Sequence, residues 1–322
     1  MKFPVNRTCP LSGEQSHRVV GYIPAAVVAA NNPTYRSSFA KILKISPHDE
    51  FPIVESPHGF IFSGWLPPQD FLRCVYEDVI DHTKTITQTV AYRARLLEFA
   101  AAFLATVEAR ASFSSQPRRL LDYGCGYGSL LRMLSTGNVR AIGYEPSGAR
   151  QTTAGQGGYE IFNNLDQVAT AGPFDLFICT EVLEHLADPR AALRFMRQNA
   201  TPGALLGITV PDCERSYVEA CFAELAKGGP LSPVFNPWEH LNYFSAGSLR
   251  RLLAEEGFTV INDFGQTRAA RDACAKFGEP NANYVVNSVR ILKRAAMSVP
   301  TTALFCAASW AFKSGCEQNA CR

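Results

Sequence analysis

Between Leu120 and Leu131 the chain reads Leu-Leu-Asp-Tyr-Gly-Cys-Gly-Tyr-Gly-Ser-Leu-Leu, an apolar run that passes through alternating glycines into a second apolar run. The pattern predicts a strand, a tight loop and a helix beginning near Ser129. Gly124 and Gly126 permit positive φ and let a ligand approach bare backbone. The first turn of the helix adds unpaired N–H groups at the same place. The rhythm continues downstream, with strands expected at 119–123, 139–144, 159–162, 174–179, 204–210 and 258–261. Helices fall between them: Asp188-Pro189 supplies an N-cap and a first-turn proline, Ser245 caps a helix over 249–256, and Gly257 ends it. Strands alternating with helices make an α/β fold, a doubly wound and mostly parallel sheet. Such a sheet binds ligands at the carboxyl ends of its strands, where the strand order reverses.

The flanks read differently. Residues 1–85 are rich in Pro, Ser and Asn and predict a small module of strands and turns, closed by a helix near 71–79. The ligand-binding domain is expected over 86–265, opening with a helix over 87–111, and a C-terminal extension over 266–322. Within that extension, 295–312 carries no charge; Pro300, Thr301, Thr302 and Ser309 dilute its apolarity, so the expectation is a buried or amphipathic helix rather than a membrane span. With 31 basic against 29 acidic side chains the chain lacks the basic excess of a nucleic-acid binder, and no nucleic-acid partner is expected. Ten cysteines without a Cys-x-x-Cys pair suit reduced thiols, and Met1 to Arg7 contains no apolar secretory core; both favour the cytoplasm.

The loop discriminates among ligands. A nicotinamide fingerprint needs glycine at 129, where this chain has Ser129. The third glycine is Gly128 instead, and Asp122 stands two places before Gly124. A carboxylate there repels a pyrophosphate and suits an ammonium group. Glu145 ends the second strand, roughly 20 residues past the loop, where a carboxylate can take both ribose hydroxyls. A nucleoside with an amino-acid end and no phosphate is S-adenosyl-L-methionine.

With these residues in view, the stretch from about 87 to 265 resembles the class I S-adenosylmethionine-dependent methyltransferases, whose sheet is Rossmann-like. The segment from Phe174 to Pro189, which includes Glu181-Val-Leu-Glu-His185, is similar to a motif of the subgroup containing the ubiquinone-biosynthesis O-methyltransferases; Pro237 to Ser245 is similar to a second segment of that subgroup. The resemblance implies that Asp122, Gly124, Gly126 and Gly128 surround the methionine end and Glu145 the ribose. It places Asn164 and Leu165 near the adenine, and Thr180 and Glu181 beside the sulfonium. Two departures stand out: the seventh, antiparallel strand of the family is expected to be short or absent, and the region after the sixth strand is long. Related enzymes often begin with a zinc ribbon. Here Cys9-Pro-Leu-Ser12-Gly13 and Ser56-Pro-His58-Gly-Phe60 look like degenerate copies, and Cys9 with His58 makes only two ligands where structural zinc wants four, so no metal is expected.

Methyl transfer from a sulfonium is an in-line displacement in which the protein chiefly supplies alignment. A hydroxyl acceptor also needs a general base, for which histidine is suited near neutral pH. His185 lies just past the fourth strand, beside Glu184; His240 lies in a segment with Trp238, Tyr243 and Phe244 that is expected to form a lid over a flat acceptor. His240 is the expected base and His185 the second candidate, while Cys125 and Cys179 read as core thiols. The expected function is S-adenosylmethionine-dependent methylation of a small-molecule acceptor, probed against two alternatives: a non-catalytic cofactor-binding subunit and an NAD-dependent oxidoreductase.

Overall fold

A computed structural model describes residues 1–31, 45–75, 90–110, 117–135, 138–155, 158–263 and 301–308. The expected domain boundary at 85/86 and the extension apart from 301–308 lie outside the described residues. The N-terminal module contains β1 (Arg18–Pro24), α1 (Ala25–Asn31), β2 (Glu50–Glu55), β3 (Ile61–Ser63) and α2 (Gln69–Cys74). Next come α3 (Val90–Arg110), β4 (Arg118–Tyr123), α4 (Ser129–Leu134), β5 (Val139–Tyr144), α5 (Gly148–Gly155), β6 (Ile161–Phe162) and α6 (Leu165–Ala171). The chain continues through β7 (Phe174–Thr180), α7 (Pro189–Gln198), β8 (Ala200–Pro211), α8 (Arg215–Ala226), β9 (Asn242–Tyr243), α9 (Ala246–Glu255), β10 (Phe258–Asp263) and β11 (Thr301–Ala308).

Seven strands form the main sheet in the order β10-β11-β8-β7-β4-β5-β6. The pairs β4–β5, β5–β6, β4–β7 and β7–β8 are parallel, so the order reverses beside β4, as the rhythm of the sequence requires. Side chains alternate between two cores. Leu121, Tyr123, Phe177, Cys179, Leu206 and Ile208 pack with Leu193 and Met196 of α7 and with Leu249, Leu252 and Leu253 of α9. Leu120, Leu176, Ile178 and Leu205 pack with Phe99 and Phe103 of α3 and with Leu130, Leu131 and Leu134 of α4. Burial on both faces is why these strands read as continuous apolar runs. The helix ends behave as their sequence predicts. Asp188 accepts from the Ala191 amide at the start of α7, and Ser245 with Ser248 forms a capping box on α9.

Within the uncharged C-terminal segment, the described residues are not helical. Residues Thr301–Ala308 form β11, antiparallel to both β8 and β10 and lying between them, so the seventh strand thought short or absent is present. Thr301, Thr302 and Phe305 carry β-forming side chains, and a strand inside a sheet covered by helices has no use for charge. The same property that resembled a span or a buried helix belongs to an interior strand. Among the described residues, no helix is long and apolar enough to cross a membrane.

A second sheet, antiparallel and ordered β1-β2-β3-β9, joins the module to the rest. Its last strand comes from residues 242–243, paired with β3 through Ile61 to Tyr243 and Phe62 to Asn242.

Gly207 sits on the α3 side of β8, where an added Cβ would lie 2.8 Å from Phe103 Cδ2 and 2.9 Å from Phe99 Cζ. Gly207→Ala is therefore expected to destabilise the protein by about 1–3 kcal/mol through overpacking, measured by urea unfolding. Gly247→Ala on α9, where the nearest atom is 3.7 Å away, is expected to be neutral or stabilising by up to about 1 kcal/mol. Equal destabilisation by both would contradict the packing of α3 on β8.

Candidate active site

β4 delivers the loop to the point where the sheet order reverses. The amides of Gly124 and Cys125 donate to the Tyr144 carbonyl at 2.8 and 3.0 Å, which folds the loop over the end of β5. Gly124 has φ 81°, and a Cβ there would stand 2.5 Å from Val182 Cγ2, so only glycine fits between the loop and the chain leaving β7. A cavity of about 140 Å³ opens above. Asp122, Gly124, Gly126, Thr180 and Glu181, all named from the sequence, line it together. Ser129 lines it as well, as do Leu96, Tyr127 and Arg150, which were not singled out there. Leu96 comes from a helix preceding the motif and Arg150 from α5, and neither position carries a local signal. The Arg150 guanidinium lies 5.8 Å from the Tyr127 ring centroid.

Asp122 is the electrostatic focus of this cavity. It is 1% exposed, and neither carboxylate oxygen has a hydrogen-bond partner. Burial, and next the nearby Glu145 charge, push its pKa up to about 7. A buried carboxylate in this state gains most from a cationic ligand. Glu145 behaves otherwise: its oxygens accept from the Gly126 amide at 3.0 Å and the Ser147 amide at 2.9 Å. It braces the loop. Gly128 caps α4 with φ 73° but does not line the cavity. Asn164 caps α6, accepting from the Asp166 amide at 2.7 Å, and with Leu165 follows the end of β6 outside the cavity lining. Cys125 and Cys179 are buried with thiol pKa values pushed up by burial, which makes them core thiols.

The histidines meet next to this cavity. Glu181, with φ 53°, turns the chain out of β7; its amide donates to the Thr209 carbonyl at 3.0 Å and its carboxylate accepts from the Thr209 hydroxyl at 3.0 Å. A 3-10 turn over Leu183–His185 follows. The rings of His185 and His240, from segments far apart in sequence, lie edge to face with centroids 4.6 Å apart. Each Nδ1 contacts a backbone carbonyl: Glu239 at 3.0 Å for His185 and Val234 at 2.8 Å for His240. That pairing selects the tautomer with the proton on Nδ1 and turns Nε2 toward the cluster. Burial pulls the His240 pKa down to about 4, and burial followed by the neighbouring His240 takes His185 well below its ordinary value. Both imidazoles are therefore neutral at pH 7. Glu184, 1% exposed, has no hydrogen-bond partner on either carboxylate oxygen, and burial drives its pKa well up. Ligand atoms of Glu184, His185 and His240 lie within 4.8 Å of one another. Two neutral imidazoles and an unsatisfied carboxylate suit a divalent cation. The expectation of no metal rested on Cys9 and His58 and did not weigh this cluster.

The aromatic segment is not the expected lid. Trp238 and Phe244 are fully buried; Trp238 meets Phe51 of β2 at 6.1 Å and Phe244 meets Phe60 at 5.2 Å. These rings fasten the module to the main sheet because the β3–β9 pairing turns them inward, leaving His240 to face the cluster. The degenerate ribbon also folds as two turns: the Gly13 amide donates to Cys9 at 2.8 Å and the Gly59 amide to Ser56 at 2.9 Å. Cys9, Ser12, Ser56 and His58 line one cavity of about 270 Å³.

Comparison with known proteins follows from this geometry. A family model described as a methyltransferase domain matches residues 92–262, about half of the chain. An O-methyltransferase, resE, of Aspergillus sclerotiorum is 30% identical over 184 residues, covering 52% of this chain and 65% of that protein. A ubiquinone biosynthesis O-methyltransferase of Caulobacter sp. (strain K31) is 29% identical over 173 residues, covering 46% of this chain and 62% of that protein. The chain thus spans less than two thirds of the length of these curated relatives. Among solved structures, the plantazolicin methyltransferase BpumL in complex with a monoazolic desmethylPZN analogue and SAH shares the fold, with a TM-score of 0.53, 12% identity, and coverage of 74% of this chain and 94% of that one.

Asp122 yields a pH test with S-adenosylmethionine. In the free protein the carboxyl is protonated below its pKa of about 7, so pairing with the ligand ammonium releases a proton there. Affinity should rise with pH up to about 7 and level off above it, followed by isothermal titration in buffers of different ionisation enthalpy. Asp122→Asn should abolish the slope and weaken binding by about 1.5–3 kcal/mol. A flat profile in the wild type would contradict the ammonium assignment.

Proposed function

The chain belongs to the methyltransferase-domain family, with S-adenosylmethionine as its cofactor, and from that premise we propose that it methylates a hydroxyl group of a small molecule in the cytoplasm. One observation carries this reading: His185 and His240 converge with Glu184 immediately beyond Glu181, which lines the cofactor cavity. A hydroxyl acceptor has to lose its proton as the new bond forms, and this cluster is where a proton can be taken. The names of the two curated relatives, both O-methyltransferases, support the same acceptor atom. The described cysteines, including Cys9 and Cys213, form no disulfide, which agrees with this compartment.

Asp122 anchors the amino-acid end of the cofactor, and Gly124 and Gly126 let it approach the backbone. Glu145 takes the ribose hydroxyls, Gly128 starts the helix beneath, and Asn164 and Leu165 border the adenine side. Thr180 and Glu181 face the sulfonium. S-adenosylmethionine bound there would supply a methyl group on a sulfonium, a ready leaving group; this chain's part would be to hold the acceptor oxygen in line with it and to take the hydroxyl proton at His240 Nε2. His240 is neutral and thus able to accept, and His185 holds the second position. Alignment of oxygen, methyl carbon and sulfur supplies most of the acceleration.

The unpartnered Glu184 carboxylate favours a second reading for the proton step. A divalent cation held by Glu184, His185 and His240 would supply Lewis acidity that lowers the pKa of a hydroxyl bound to it. A buried carboxylate with no hydrogen bond is costly, and this arrangement gives it a partner.

The two readings separate experimentally, using tritiated-methyl S-adenosylmethionine with a panel of catechol and phenol acceptors. Under the base reading, His240→Ala lowers turnover about 10²–10⁴-fold with cofactor affinity unchanged. The rising limb of the wild-type pH–rate profile should then lie near pH 4, leaving the rate flat across the ordinary histidine range. Under the cation reading, manganese binds the wild type and fails to bind Glu184→Gln, and chelation removes turnover that added metal restores. Full turnover in His240→Ala with no manganese binding to the wild type would dismiss both.

A further inference from the structure

The cluster depends on a residue from the far end of the chain. Arg7 precedes β1, yet its side chain is buried, 6% exposed, beneath the loop that carries the histidines. Its Nη1 donates to the Leu241 carbonyl at 2.6 Å, and its Nη2 donates to the Ala187 carbonyl at 2.9 Å and to Asn242 Oδ1 at 2.8 Å. Asn242 extends the bridge: its Nδ2 donates to the carbonyls of Leu183 and Leu186, each at 2.7 Å. The Leu241 amide donates to the Glu184 carbonyl at 2.6 Å. Two strips of backbone, 183–187 and 241–242, are thus tied around one guanidinium. The first contains His185, and the second begins one residue after His240.

Stability is a poor explanation for this cation. Its hydrogen-bond acceptors are neutral, and burial lowers its pKa to about 10, so it stays charged at pH 7 while losing hydration. No carboxylate lies within ion-pair distance of it among the described residues. Asp188 acts on it only from beyond ion-pair distance, and apolar replacements of buried charged groups are often neutral or stabilising. What guanidinium provides is a rigid planar fork that fixes several acceptors in set directions. Lysine carries the charge without the fork.

We propose that Arg7, acting through Asn242, is a positioning residue that holds His185 and His240 edge to face, making the N-terminal module part of the acceptor-side site. The inference rests on the proposed role of this cluster, but its test reads the geometry of the rings and not the transfer reaction. Failure to find a hydroxyl acceptor therefore leaves the test intact, and failure of the test leaves O-methylation standing on its own evidence.

The full-length protein, selectively labelled with ¹⁵N-histidine and bound to S-adenosylhomocysteine, provides the measurement. In the wild type the imidazole ¹⁵N shifts should report one tautomer each, with Nδ1 protonated, for His185 and His240, and an inter-ring nuclear Overhauser effect should link them. His185→Gln and His240→Gln assign the signals. In Arg7→Ala the inter-ring effect should vanish and the tautomers should average. Cofactor affinity should change by less than about twofold, because Arg7 does not line that cavity. Millimolar guanidinium should restore both signatures by filling the vacated position. Arg7→Lys, which keeps the charge, should restore neither fully; it also serves if Arg7→Ala does not fold. Arg7→Ala or Arg7→Lys that melts earlier yet retains single tautomers and the inter-ring effect would reduce Arg7 to a packing residue and overturn the proposal.

Discussion

The parallel pairing of β4 with β5 on one edge and β7 on the other determines where every functional group can sit. Because the order reverses at β4, α4 leaves toward the face packed by α3, whereas α7 leaves toward the face packed by α9. The diverging exits open a cleft over the strand ends, and the Gly124–Val182 approach sets its floor. Glu181 then has to turn sharply out of β7. Its positive φ is held by the hydrogen bonds to Thr209, a case in which surrounding structure sustains a strained residue beside a site. That turn delivers the 3-10 segment carrying Glu184 and His185 to the edge of β9.

What the sequence disclosed and what it concealed follow from the range of the interactions. The loop from Asp122 to Gly128 is legible because its conformation is set by adjacent residues, and β5 begins and ends where its apolar run does. β11 was hidden because an interior strand and a buried helix share an uncharged composition over such a length, and only the vacancy between β8 and β10 distinguishes them. Trp238, Tyr243 and Phe244 suited a lid as well as a core until the β3–β9 pairing fixed their direction. Each histidine was visible alone. Their meeting was not, since no local pattern links Glu184 and His185 to residue 240.

The buried carboxylates divide according to what already satisfies them. Glu145 is met by two backbone amides. Asp122 and Glu184 are met by none, and burial raises both pKa values. An unsatisfied buried carboxylate costs stability in the free protein, a cost repaid only when a cation or donor arrives. The two unsatisfied groups therefore mark two places for positive charge, one in the cofactor cavity and one among the histidines. Neutral imidazoles at the second place extend the same logic: they neither supply the charge themselves nor repel one that comes.

The N-terminal module shares in this arrangement through more than hydrogen bonds. Phe51, Trp65 and Ile61 form a single core with Trp238, Phe235 and Tyr243, so the stretch that presents His240 has its anchorage in the module. Phe62 and Asn242 are register partners, and Asn242 is also the group that Arg7 engages. A shift of β3 is thus transmitted to residue 240 along a continuous path of paired backbone, whereas a shift of β5 or β6 reaches the cofactor side first. On the proposed reading, the fold separates two requirements that methyl transfer imposes together: a seat for the donor on the main sheet, and a seat for the acceptor where the two sheets share a chain. On that reading, substitutions in the module would retune the acceptor side while the proposed donor residues Asp122, Gly124 and Glu145 stay in place.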